Sequence, residues 1–196
     1  MKSSSANRGG HSIDTQRAHK RDTLLEEQCS VLADTIVAIR PVYSTATPRQ
    51  RALLETVIGA AIWYIPQPSS AWTGRMSLGA LKMFHPDSGI EKPRFSEEHV
   101  YPRKVAARLL LEDPSLDGVN LSALFREKYG RLHLITSDEN KSVQPYQRVA
   151  VFTTPDDAYG KAGIVLIEVV EHELRLIRKR DRDTIERYLN SLAQSR

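Results

Sequence analysis

A single cysteine, Cys29, stands among 196 residues, so no internal disulfide can form and the paired thiolates of a zinc finger or ribbon are missing. No run of 18 apolar residues occurs, which excludes a bilayer-spanning helix, and the N-terminus lacks the apolar stretch of a secretory signal. Glycine-rich phosphate loops are absent as well: neither the dinucleotide fingerprint nor the Walker pattern is found, and there is no Gly-x-Ser-x-Gly elbow. Kinase, ATPase and serine-hydrolase chemistry lose their usual sequence carriers. The expectation is a cytoplasmic chain without structural zinc and without a membrane partner.

What is present suits a globular protein, with 40% hydrophobic and 27% charged residues. Lysine and arginine total 28 against 24 acids, a formal charge of +4 that mildly favours a polyanionic partner such as nucleic acid. Residues 1–21 combine Ser3, Ser4, Ser5, Gly9 and Gly10 with Arg8, Arg17, Lys20 and Arg21 and read as a flexible basic arm. Residues 22–196 read as one globular domain.

Two helices come first. Thr23 and Glu26 have capping-box spacing ahead of Leu25, Cys29, Leu32, Ile36 and Ile39, and Pro41 is expected to stop that helix. Thr47, Pro48 and Gln50 open a second, bearing Leu53, Leu54, Val57, Ile58, Ala61, Ile62 and Ile65 and ended by Pro66 and Pro68. Their apolar stripes suit a packed pair, and residues 24–65 equally suit a protein partner or homo-oligomer contact. Residues 66–97 read as loop around a short helix, 75–84, with Trp72 either a base-stacking platform or a core anchor. Helices follow over 102–112 and 121–129, then strands over 131–136, 146–152 and 164–170 with helical turns after Ser137 and Thr154, and a final helix over 183–193. The expected class is α+β, a helix-rich single domain with a small sheet in the C-terminal half, helix exceeding strand about threefold.

The segment from Phe95 to Lys104 carries the chemistry. Glu98 directly precedes His99, and Pro102 follows where a helix begins. A carboxylate beside an imidazole can pair a divalent cation with a general base, and Arg103 and Lys104 could meet the same phosphate. Glu98-His99-Val100-Tyr101-Pro102 resembles the acid-His-aliphatic-x-Pro signature of HNH, or His-Me finger, endonucleases, and Asn140 in Asp-Glu-Asn-Lys is similar to the middle asparagine of that motif. The resemblance implies a metal-dependent phosphodiesterase with His99 as general base, Asn140 as a second catalytic residue, and Glu98 and Asn140 at one Mg2+ or Mn2+. The chain departs from the family by two helices between His99 and Asn140 and by the lack of any cysteine after Cys29, and neither His133 nor His172 stands at the family's spacing. The alternative reading of His99 is a helix-start histidine bonded to a backbone carbonyl, and of Asn140 a member of a local capping box headed by Ser137.

Ser77-Leu-Gly-Ala80, the Glu-His-Val-x-Pro segment, Ile135-Thr-x-x-Glu-Asn140 and Ala158-Tyr-x-x-Ala-Gly-Ile164 also resemble an uncharacterised group of small phage- or defence-linked bacterial proteins. Lys104 and Arg108, four apart with Arg103 beside them, and the run Arg175, Arg178 and Lys179 are the candidate nucleic-acid contacts. In an extended strand Glu171 and Glu173 would point away from His172. The alternative function is a non-catalytic subunit that binds nucleic acid or another protein.

Overall fold

The structure, a computed structural model, describes residues 10–148 and 156–194. Helix α1 runs Gly10–Thr45, so helix reaches back into the expected arm, whose residues 1–9 lie outside the described residues. Thr23 is inside the helix, its Oγ1 donating to the His19 carbonyl at 3.1 Å. No proline or glycine interrupts residues 11–40, which leaves nothing to begin a helix only at Thr23. Leu25, Cys29, Leu32 and Ile36 are buried as their spacing predicts, and burial pushes the Cys29 thiol up to about 12. Pro41 does not end α1. Only one turn follows it, and buried Tyr43, whose hydroxyl donates to Glu55 Oε1 at 3.0 Å, anchors that turn.

Helix α2, Pro48–Trp63, has the expected start: Thr47 caps it and Gln50 returns the bond, with Pro48 at the first position. Helices α4, Arg103–Glu112, and α5, Gly118–Leu124, complete a helical unit made of residues 1–71 and 103–130. α1 packs on α5, and α2 on α4. A Cβ on Gly118 would come 2.8 Å from Ser30 Cα, so glycine there permits the α1–α5 approach. The helix expected over 121–129 changes character at its end, where Phe125–Tyr129 forms a π-helical turn closed by Gly130 N–H donating to the Phe125 carbonyl at 2.8 Å. In α4 the inward residues are Ala106, Ala107, Leu110 and Leu111, one step round from the Val105, Ala106, Leu109 and Leu110 of a first-turn reading.

The second unit, residues 72–102 and 131–196, holds a four-stranded mixed sheet in the order β2-β3-β1-β4. The strands are β1 Trp72–Ser77, β2 Ser96–His99, β3 Leu132–Ile135 and β4 Leu166–Glu168. β1 runs parallel to β3, and the two other pairings are antiparallel. The register of β1 slips between Trp72 and Met76, where Gly74 adopts φ +81°, a bulge that glycine accommodates without strain. Helices α3 Leu78–Phe84, α6 Ser137–Arg148, α7 Asp156–Lys161, α8 Glu171–Arg178 and α9 Arg182–Gln194 belong to this unit. Met76, Leu134 and Ile167 bury with Leu81, Phe84, Ile177 and Ile185 of α3, α8 and α9; Ile135 buries with Val143 and Tyr159 of α6 and α7.

The class is α+β with a small sheet, and helix exceeds strand by far more than threefold. Several local expectations change. Residues 72–77 and 96–99 are strands rather than loop, so the helix expected over 75–84 begins at Leu78. Tyr146 to Arg148 close α6 instead of opening a strand, because Val143 and Gln147, four apart, bury one helical face; residues 149–152 lie outside the described residues, as do Thr154 and Pro155. The last strand shrinks from 164–170 to 166–168. Glu171, His172 and Glu173 start a helix, not an alternating strand. Trp72 is a core anchor, half-buried with its indole N–H donating to the Arg75 carbonyl at 3.0 Å.

Candidate functional site

β2 decides the fate of the Glu98-His99 pair. Its residues pair with β3 as Ser96 with Ile135, Glu97 with Leu134, Glu98 with His133 and His99 with Leu132. Successive side chains of a strand leave opposite faces. Ser96 and Glu98 therefore face α6 and α7, whereas Glu97 and His99 face the side of Leu134 and Met76. The hydrogen bonds agree: Gln147 Nε2 donates to Glu98 Oε1 at 3.1 Å, and Asn140 Nδ2 donates to Ser96 Oγ at 2.9 Å.

Glu98 and Asn140 thus share a face, and His99 is turned from both. Asn140 meets β2 at Ser96, roughly 10 Å of strand away from His99, and its Oδ1 accepts from Gln144 Nε2 at 3.3 Å. The capping box at the start of α6 is formed by Thr136 and Glu139, not by Ser137 and Asn140: Glu139 N–H donates to Thr136 Oγ1 at 3.1 Å and Thr136 N–H to Glu139 Oε2 at 2.8 Å. A divalent cation of the kind the resemblance implies needs converging donors. Glu98, Asn140 and His99 do not supply them from two faces of one strand. Among the described residues no three His, Cys, Asp or Glu side chains gather around a common point.

What lies opposite Glu98 is a buried histidine. His133, 2% exposed, has Nδ1 2.7 Å from Thr73 Oγ1. That hydroxyl donates to the Leu132 carbonyl at 3.0 Å, so its lone pair accepts from a protonated Nδ1 and the neutral ring carries its free lone pair on Nε2. Burial, reinforced by Arg75, holds the imidazole down to about 4. Tyr159 of α7 meets the ring edge-on with centroids 5.2 Å apart, and burial followed by the charge of Glu98 raises its phenol above the ordinary value. His133 Nε2 and the Tyr159 hydroxyl are both buried without a hydrogen-bond partner. Beside them Arg75 Nη1 binds both oxygens of Asp156 at 2.9 Å.

The chain matches no protein-family model, no curated protein and no solved structure. Its own geometry carries the functional reading.

The candidate phosphate contacts fall into two sets. Arg103, Lys104 and Arg108 belong to the helical unit, whereas Glu98 and His99 belong to the sheet unit. Arg103 lies over the Trp63 ring at 3.6 Å from its centroid, Lys104 Nζ is 4.0 Å from Glu55 Oε2, and Arg108 is half-buried. Arg175, Arg178 and Lys179 are all exposed, and their i, i+3, i+4 spacing gathers them on one side of the last turns of α8. Arg178 also lies over Phe95, 5.7 Å from the ring centroid. Neighbouring arginines in the same unit are engaged. Arg180 donates to the carbonyls of His85, Pro86 and Ile90, Arg182 binds Asp87, and Arg187 binds Glu173.

His133, Thr73, Gln147 and Tyr159 escaped the sequence reading as a group. The available signal was a histidine inside an apolar tetrad, Leu-His-Leu-Ile, where a polar ring must be buried by its neighbours.

Proposed function

We propose that this chain is a cytoplasmic, non-catalytic subunit that binds nucleic acid through α8 and assembles with protein through residues 24–65. The observation that carries the first half is the exposed trio Arg175, Arg178 and Lys179 on one side of α8, beside arginines that intramolecular partners occupy. Closely spaced exposed cations on a rigid helix suit a phosphate backbone, which is read by charge rather than by base identity. The opposed directions of Glu98 and His99 favour binding over hydrolysis. The resemblance of four segments to small phage- or defence-linked proteins supports a nucleic-acid setting. Support for the second half comes from large apolar side chains left exposed on α1 and α2, among them Val31, Leu53, Val57 and Tyr64.

Fluorescence anisotropy with labelled single- and double-stranded DNA and RNA tests the reading. Three phosphate contacts predict that log affinity falls with log salt at a slope of about −2 to −3. Replacing Arg175, Arg178 and Lys179 together by alanine should remove most of that slope. No binding at low salt, or binding unchanged in the triple variant, overturns the assignment to α8. Magnesium- or manganese-dependent cleavage abolished by His99→Ala would overturn the non-catalytic reading.

A further inference from the structure

Beyond Arg49 the outer side of α2 is largely apolar. Arg49, Leu53, Val57, Ala60 and Tyr64 follow one another at steps of four, four, three and four and are all exposed, Leu53 by 63%, Val57 by 55% and Tyr64 by 78%. This 4-3-4 spacing is the seam that two helices share when side chains of one fill gaps of the other. Where α2 ends, a groove opens beside α1, lined by Val31, Leu32, Ala61, Tyr64 and Ile65 and edged by Glu27.

The two ends of this seam differ in charge: Arg49 stands at one, and Glu27 of α1 edges the groove at the other. Arg49 sits in the first turn of α2, which has no acidic residue, and the last turn has no basic one. The arginine is contrary to what a lone helix dipole favours, and no basic side chain complements the far end. A helix arriving antiparallel reverses the penalty, because its C-terminal carbonyls, with the Glu27 beside them, come to rest at Arg49.

We propose that the occupant of this face is a second copy of the chain, with the two α2 helices antiparallel about a two-fold axis near Thr56 and Val57. This rests on the reading of residues 24–65 as an assembly surface, and adds the partner and the register. About that axis Leu53 meets Ala60 of the other copy, large against small. Arg49 meets Tyr64 and Glu27, and the symmetry repeats both contacts. The α2 side chains that arrive over the C-terminal end fill the groove beside α1. The face complements itself, which an unrelated apolar partner would not require.

Sedimentation of the full chain from about 1 to 100 μM tests this, in the range where an interface of modest area dimerises. A dimer is expected, and Val57→Glu should make it monomeric without changing the far-UV circular dichroism, since Val57 is exposed. Glu27→Arg and Arg49→Glu should each weaken dimerisation by about tenfold, and the two together should restore it. A wild-type monomer throughout this range, or a Val57→Glu dimer, overturns the proposal; so does a double variant as weak as either single one. Nucleic-acid binding read on the same samples separates the two claims. A Val57→Glu monomer that still binds in the α8-dependent way supports both, whereas a wild-type monomer that binds overturns the dimer and leaves the α8 assignment standing.

Discussion

The two units spend their polarity in opposite directions. Among the described residues, nine of the fourteen exposed large hydrophobic side chains belong to the helical unit, from Leu24 through Tyr64 and Val119. Five of the six buried polar or charged residues, Ser77, His133, Gln147, Glu173 and Thr184, belong to the sheet unit. A helical unit that leaves most of these large apolar side chains exposed is suited to association. A sheet unit that encloses polar groups gains a specified arrangement, because each enclosed group must find a partner or leave a desolvation cost. The buried chemistry and the exposed features therefore call for separate tests: what is enclosed under α6 and α7 bears on stability, and what is displayed on α2 and α8 bears on the proposed partners.

The sharpest way to break the contrast is Gly118→Val. If the helical unit is closely packed inside, a side chain placed 2.8 Å from Ser30 Cα should destabilise it by about 3 kcal/mol or more, read by urea unfolding, whereas Val57→Glu on its outer face should stay within about 0.5 kcal/mol for the monomer. Equal effects would mean that interior and exterior of this unit are not distinct.

The next test lies in the sheet unit. His133 is held neutral to about 4 when folded against an ordinary value near 6.5. Between these values the unfolded chain binds the extra proton, so stability rises with pH across this window and is lost as pH falls from about 6.5 to 4, by roughly 3 kcal/mol at most. His133→Asn should flatten that slope in urea titrations at pH 4.5 and 7. An undiminished slope would assign the acid sensitivity elsewhere.

Smaller effects compare two tyrosines. Tyr43 donates to Glu55 in the helical unit, and Tyr43→Phe should cost about 1 kcal/mol; the Tyr159 hydroxyl has no partner, and Tyr159→Phe should be neutral or stabilising by up to about 1 kcal/mol. Thermal melts of the pair check the difference, and a reversed order would refute it.

Helix starts were legible where side chains satisfy backbone donors locally. Thr47, Pro48 and Gln50 locate α2 because the capping bonds involve only neighbours in sequence. Strand formation depends on distant partners, so β1 and β2 look like loop in the sequence: β2 is four residues at a sheet edge, and all four, Ser96, Glu97, Glu98 and His99, are polar or charged. Pro41 misled for a similar reason, since tertiary anchoring of Tyr43 outweighs one lost helical bond. Adjacency in sequence made Glu98 and His99 look like a cluster. The strand period of two separates them, while pairing across β3 brings Glu98 to a histidine 35 residues later.

The sheet order also fixes a sequence of events during synthesis. Once residue 130 has left the ribosome the helical unit has all its segments, but the sheet has only β1 and β2. Those two are not neighbours, because β3 belongs between them. The nascent chain therefore carries two strands with no native partner until the next few residues arrive. β3 then joins both at once, and Val100 N–H donating to the Arg131 carbonyl at 3.0 Å ties off the excursion through α4 and α5. A pause in translation just before β3 would hold the protein where its strand edges are open to pairing with other chains.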